Sequence, residues 1–560
     1  VTRPRAHGSV RDIADAYLAD LAVFDPDAAQ AVGRDPDILV PDLTDDAFAA
    51  RVDLARGTLD LLANLRPGWG AGGEALPDDR HDAVPDEVLR LALTERLAAE
   101  IALDDAGFTR SLLAPLATPV HLVRQVFDNL PRGTAEEIER VRRNLDAVPG
   151  AYADYLATLR AAADRGHVVA RRQVLGVARQ CESWVDRRFY DEVAGRDDRL
   201  TRAAERAAAA TAELAARLKV ELAPRADERN GVGRDRYAVT SSAFLGSRVD
   251  LDELYGWGWS ELRRLSQRAR ELARAATGEQ DVRAAAEILD GRAAGRVAVG
   301  ELEEWLQGRL DAVTDAVDGV WFDIPPATRP VEARITSAAE GVMYYTAPDA
   351  GLTRPGRVWW TVAEGADSVA TWREVSTVHH EGVPGHHLQH AVTHGLDTLH
   401  PWQRYVCHVH GYAEGWAHDA EQLAVDLGLV SGPDEELGVV LAQLWRACRI
   451  VIDLGLHLDL PVPRDNGLVD HEQWSIERGV DTLRHLAGVD LSTARFEVLR
   501  YLGWPGQALA FKVGARLWAQ ARDDARRREG GQFSLRDFHA RALGLGPMGL
   551  GPLQTLLARS

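Results

Sequence analysis

"AEEIERVRRNLDAVPGAYADYLATLRAA", residues 135–162, carries apolar side chains three and four positions apart along most of its length. That period is one face of an α-helix. "DEVLRLALTERLAAEIAL" (86–103) repeats it, and so does "LTRAAERAAAATAELAARLKVEL" (200–222), which is rich in strong helix formers. No clean heptad persists, so a coiled coil is not expected. Gly/Pro clusters punctuate the chain at 66–79, 223–236, 323–330 and 349–357 and read as turns or loops. The β signal is thin: "RVWWTV" (357–362) is the best strand, with "GVMYYTA" (341–347) as its partner. The expected fold is mainly α. It has an N-terminal helical lobe over 1–235 and a C-terminal helical lobe over 236–560, with a small sheet near 335–365. One continuous bundle is the alternative.

At 560 residues, a multi-lobed chain is the default. A composition of 46% hydrophobic and 27% charged residues is that of a soluble globular protein. The net charge of -20 argues against nucleic acid and anionic membranes as partners. The opening residues hold no run long enough for a signal-peptide h-region, and no window approaches a membrane span. Cys181, Cys407 and Cys448 are odd in number and far apart, which points away from a disulfide framework and towards a reducing cytoplasm. Oligomeric state is not legible.

The chemistry concentrates in "HHEGVPGHH" (379–387), which holds four of the chain's 18 histidines and a glutamate. Zinc sites commonly take two imidazoles and a carboxylate and keep one position for water. The helical solution is HExxH, with its glutamate as general base. Here His380-Glu381 is followed by Pro384 at the fourth position, and the next histidines are His386 and His387. On a regular helix His386 would lie about 120° away from His380. Pro384 cannot donate back to the carbonyl of His380, and Gly385 admits unusual backbone angles. Removing the pair restores H-E-G-V-H. The expectation is a Pro-Gly bulge that returns His386 to His380. His386 and His390 form a second possible pair without an adjacent acid. In "VHGYAEGWAHDAEQLAVDLG" (409–428), Glu414 is the candidate third ligand. Glu421, two helical turns on, is the candidate partner that orients an imidazole.

"HHEGVPGHHLQ" with "GYAEGWAHDAEQL" resembles the DUF885 family, which sits near the gluzincin metallopeptidases. "RACRIVIDLGLH" (446–457), "VLRYLGWPGQALAFKVG" (498–514) and "FHARALGLGPMGLGPLQTLL" (538–557) extend the resemblance, and "DELYGWGWSEL" (252–262) matches more loosely. The resemblance implies a helical, two-lobed, zincin-like fold with a deep cleft, and one divalent ion per chain. Zinc is favoured, with manganese or iron as alternatives. Two positions depart from the family's usual tyrosines: Asp419 and Phe511.

The expected activity is a metal-dependent hydrolase, a peptidase acting on short peptides or small amides. His380, His386 and Glu414 hold the metal and Glu381 is the base. Tyr501, Arg500 and His457, from the regions that resemble the family, are candidate oxyanion donors. Lys512 is a candidate for a peptide carboxylate. Arg449 and Asp453, four apart, are expected to form a structural ion pair. Two other readings stand beside this one. Two histidines and a carboxylate also make the triad of non-haem iron oxygenases, which would leave Glu381 without a role. A metal-stapled, non-catalytic peptide or partner binder is the third.

Overall fold

The computed structural model describes residues 8–65, 80–128, 130–336, 343–348, 352, 354–363 and 365–559, with residues 80–84 described by backbone alone. The loop read at 66–79 lies outside the described residues, as does part of the turn at 349–357. The chain is mainly helical with a small sheet.

The three periodic stretches are helices: Arg80–Asp105, Ala135–Asp164 and Asp198–Arg217. Thr134 and Glu137 close a capping box at the start of the second, satisfying amides that have no partner within the helix. Its buried face of Val141, Leu145, Val148, Tyr152, Tyr155 and Leu159 follows the three-and-four period. With Val174, Val177, Ala203 and Leu214 these residues build a core of their own. A larger core joins Val10–Leu97 to side chains between Tyr237 and Leu557. Its axis is the helix Gly432–Leu458, which is buried almost all round from Leu437 to His457. The helix Leu251–Thr277 packs along it, with Gly258 seated on Ile450 and Val451.

The sheet has three strands. Gly356–Thr361 lies in the middle, parallel to Val331–Thr336 and antiparallel to Tyr344–Thr346. Tyr345 faces Val358 in register, so the pairing read from the sequence is present. The strand Val331–Thr336 was not anticipated. Val331, Ala333, Val358 and Trp360 alternate onto one face and close over Leu302, Leu306 and Leu310 of the helix Val299–Val317. Val378, just before the histidine motif, belongs to the same cluster. The sheet therefore backs the segment that carries the motif. Arg296–Ala298 and Ser368–Ala370 form a separate antiparallel pair. Among the described residues no helix is long and apolar enough to cross a membrane, and the three cysteines are free.

Candidate metal centre

The helix Thr371–Thr377 continues into a π-turn, Val378–Gly382. Val383 is extended, the Val383–Pro384 peptide is cis, and a new helix, His386–Gly395, begins after Gly385. The expected bulge is thus a full break: the first helix stops and a second one starts. Pro384, with no N–H to give, cannot carry the first helix onward. Gly385 has an ordinary negative φ of -77°. What it supplies is space, because a Cβ there would lie 2.0 Å from the carbonyl oxygen of His380 and 2.3 Å from that of His379. Trp416 Nε1 donates to the carbonyl of Pro384 at 2.8 Å and so ties the break to the helix carrying Glu414. The outcome is the one the spacing called for: the rings of His380 and His386 stand 5.0 Å apart between centroids.

Glu414 rides on the helix His410–Asp426. That helix crosses Lys512–Glu529 at Gly415 and Gly514, where a Cβ on Gly415 would meet the Cα of Gly514 at 2.7 Å. Glu414 Oε2 lies 3.4 Å from His380 Nε2 and 3.6 Å from His386 Nε2. Donor atoms of a tetrahedral zinc, with bonds of about 2.0–2.2 Å, stand about 3.3–3.6 Å apart. Glu414 Oε2 is buried and has no hydrogen-bond donor among the described residues. An orphaned buried carboxylate oxygen facing two imidazole nitrogens at ligand spacing fits a divalent metal.

Around this trio the residues are already tied. His380 Nδ1 donates to Glu421 Oε1 at 2.7 Å, which fixes the tautomer that leaves Nε2 free for a metal. The same oxygen accepts from His418 Nδ1 at 3.1 Å; the other Glu421 oxygen accepts from Ser376 at 3.2 Å and Gln443 at 3.4 Å. His380, His418 and Glu421 form a second cluster of ligand-type residues, but hydrogen bonds within it and from Ser376 and Gln443 occupy His418 Nδ1 and both Glu421 oxygens. Burial by itself would raise the Glu414 carboxyl, yet the imidazoles of His380 and His386 hold it well below the usual range. Burial would lower His380; Glu414 and Glu421 overcome this and raise it to about 10. Glu381 is buried beside them with no hydrogen bond among the described residues, and burial lifts its carboxyl above the ordinary value against the pull of His386 and His380.

The other histidines have structural work. His379 Nδ1 bonds the Val383 carbonyl at 3.0 Å. His387 is held by Tyr345 and the Arg329 carbonyl, each at 3.0 Å. His390 packs on Tyr345 and His394 and joins neither cluster of ligand type.

The candidate donors are committed elsewhere. Tyr501 donates to Glu497 at 2.6 Å and accepts from Arg449 at 3.2 Å. Arg500 makes a two-pronged pair with Glu497, at 2.8 and 3.0 Å, and donates to Gln507. His457 accepts from the Val232 amide at 3.3 Å and faces the Tyr501 carbonyl at 3.1 Å. Lys512 pairs with Glu261 at 3.0 Å and donates to Gln443. The pair expected between Arg449 and Asp453 does not form. Arg449 turns to Glu497 at 3.0 Å, while Asp453 accepts from Tyr237 at 2.7 Å and the Gly506 amide at 3.0 Å. Asp419 is held through both oxygens by Arg522. Phe511 lies parallel to the His380 ring at 6.3 Å, with the Arg449 guanidinium 4.3 Å from its centroid on the Arg449 side. Ser376, His418 and Gln443 were missed from sequence. Ser376 alone had a signal, one helical turn before His380.

The family model for bacterial proteins of unknown function, DUF885, matches residues 26–557. The chain belongs to the DUF885 family. Two solved structures share the fold of this DUF885 chain. A protein named as a lipoprotein from Colwellia psychrerythraea is 18% identical, with a TM-score of 0.79 over 99% of each chain. Another so named, of unknown function, from Shewanella oneidensis is 14% identical, with a TM-score of 0.70 over 98% of this chain and 100% of that one. The chain has no significant match among curated proteins.

Proposed function

We propose that this chain is a zinc-dependent hydrolase, a peptidase of gluzincin type acting on short peptides in a zincin-like cleft between helical lobes. The observation that carries the reading is the convergence of His380 Nε2, His386 Nε2 and Glu414 Oε2 within 4.8 Å of one another, with Glu381 unbonded beside them. His380, His386 and Glu414 would hold a zinc ion, which would supply Lewis acidity and lower the pKa of a bound water. Glu381, whose burial raises its proton affinity, takes the proton of the attacking water and passes it to the leaving amine. Glu421 keeps His380 in the tautomer the metal needs. This function leaves an iron oxygenase with an idle Glu381.

The test is elemental analysis of the wild type, His386→Ala and Glu414→Ala, with turnover of a panel of blocked and free di- and tripeptides with and without chelator. One zinc per chain is expected in the wild type and loss of it in both variants, with hydrolysis stopped by chelator. Glu381→Gln should keep the metal and lose roughly a thousandfold or more in turnover. Wild-type protein that takes up no zinc, or Glu381→Gln with full activity, would sink the reading; iron in place of zinc would turn attention to the oxygenase.

A further inference from the structure

Arg446 is an unpaired cation in the wall of the candidate site. Among the described residues it makes no ion pair and no hydrogen bond, and its Nε is shut off from solvent. The helix Gly432–Leu458 places it between two residues that belong to the site's surroundings. One turn earlier, Gln443 reaches Glu421 and the His418 carbonyl. One turn later, Arg449 reaches Glu497 and covers Phe511. The Arg446 guanidinium is 5.9 Å from the centroid of that same Phe511 ring, and Phe511 lies against the metal-ligand candidate His380. Arg449 has a free donor as well, since its buried Nη1 has no partner.

No carboxylate among the described residues comes within ion-pair distance of Arg446. Arg449 and Arg500 share the single carboxylate of Glu497, so that pair of cations already outnumbers its anion before Arg446 is added. Every other cation named around the site is matched: Lys512 by Glu261 and Arg522 by Asp419. Arg446 is half-buried, and burial works against its charge while Glu421, Glu497 and Glu414 favour it only from beyond ion-pair distance. Its planar fork suits a carboxylate.

We propose that Arg446, with the free Nη1 of Arg449, receives a carboxylate of the substrate, so that the preferred substrates are short peptides carrying a negative charge beside the scissile bond. This rests on the peptidase reading for the bond broken, though not for the anion held. Lys512, read from sequence as the carboxylate's partner, is already taken by Glu261. The charge can come from a free C-terminus or from an acidic side chain, and the peptides used tell these apart.

The experiment compares zinc-loaded wild type, Arg446→Gln and Arg446→Lys on Ala-Ala-Phe-Ala as free acid, on its C-terminal amide, and on Ala-Ala-Phe-Asp amide. The wild type should favour an acid-bearing peptide over the neutral amide by at least about tenfold in kcat/KM. Arg446→Gln should erase that preference while the neutral amide stays within about twofold, and Arg446→Lys should restore part of it. Whichever of the two acidic peptides shows the effect identifies the source of the charge. An equal loss on all three peptides, or a wild type indifferent to charge, would overturn the proposal. Calorimetry of the same peptides with metal-free protein separates the two readings. Acid-selective binding that Arg446→Gln abolishes, without turnover of any peptide, would keep the anion site and discard the peptidase; no selectivity in binding or turnover would discard the anion site.

Discussion

Glu421 bears most directly on the proposed metal site without belonging to its three ligands. Its two oxygens collect His380, His418, Ser376 and Gln443 in a fully buried pocket. Glu421→Gln keeps the size and removes the charge that orients His380. Zinc affinity, measured by competition with a chelator, should fall about 10- to 100-fold. An unchanged affinity would mean that packing alone sets the ring. His380, Glu381, Glu414 and Glu421 could be picked out in the sequence, because histidine beside glutamate and two glutamates seven apart are chemistry-bearing types at meaningful spacing. The roles of Tyr501, Arg500, His457 and Lys512 were not. A sequence displays a charge but hides the countercharge that folding brings opposite. For Lys512 that is Glu261, on a helix from another part of the chain. Arg446 escaped for the converse reason: being unpaired is a property of the folded neighbourhood and leaves no pattern in the string.

At the scale of elements, Pro384 announced a break, but its form depended on a donor from elsewhere, Trp416, which binds the exposed carbonyl. The preceding helix, Thr371–Thr377, carries a second consequence of burial. Glu374 accepts from Trp360 Nε1 at 3.1 Å, and burial raises its carboxyl to about 7 against that hydrogen bond. In the unfolded chain it titrates near the ordinary glutamate value of 4.5. Between those values the native state holds a proton that the unfolded chain has released. Stability from this group is therefore present below about pH 4.5, falls as pH rises towards about 7, and levels off beyond. Glu374→Gln keeps an acceptor for Trp360 and cannot ionise. Relative to wild type it should gain about 1–3 kcal/mol between pH 5 and pH 8, read from urea unfolding at each pH. Parallel pH profiles would refute the assignment. The sheet behind this helix was only half legible: the alternation of "RVWWTV" was plain, whereas Val331–Thr336 has a single strong β-former at each end of its buried face and gains its place by pairing with its neighbour.

Across the molecule, the helical class follows from a period that any reader can count, and the packing does not. Punctuation near 223–236 marks where helices stop; it does not say which core the next one joins. Side chains of Val10–Ala29 and Ala55–Leu97 share a core with others between Tyr237 and Leu557, while Val40, Leu43 and side chains of Leu113–Ala223 build a separate one. Two cores imply two units of opening. Native-state hydrogen exchange should show the amides of Ala135–Asp164 and Asp198–Arg217 opening together. Those of Gly432–Leu458 should open at a distinct and higher free energy, in step with Val10–Leu21. A single shared opening energy for all four helices would contradict this.

The crossing of Gly415 and Gly514 bears on how such a molecule can change over generations. Two helices that touch backbone to backbone keep their spacing whatever side chains flank the contact. Phe511 and Asp419, the two positions read from sequence as departures from the resemblance, lie three and four residues from that crossing. The lining can thus be rewritten one residue at a time while Glu414 keeps its distance from the two histidines. The spacing of His380, His386 and Glu414 and the identity of the residues beside it can then change independently within one protein.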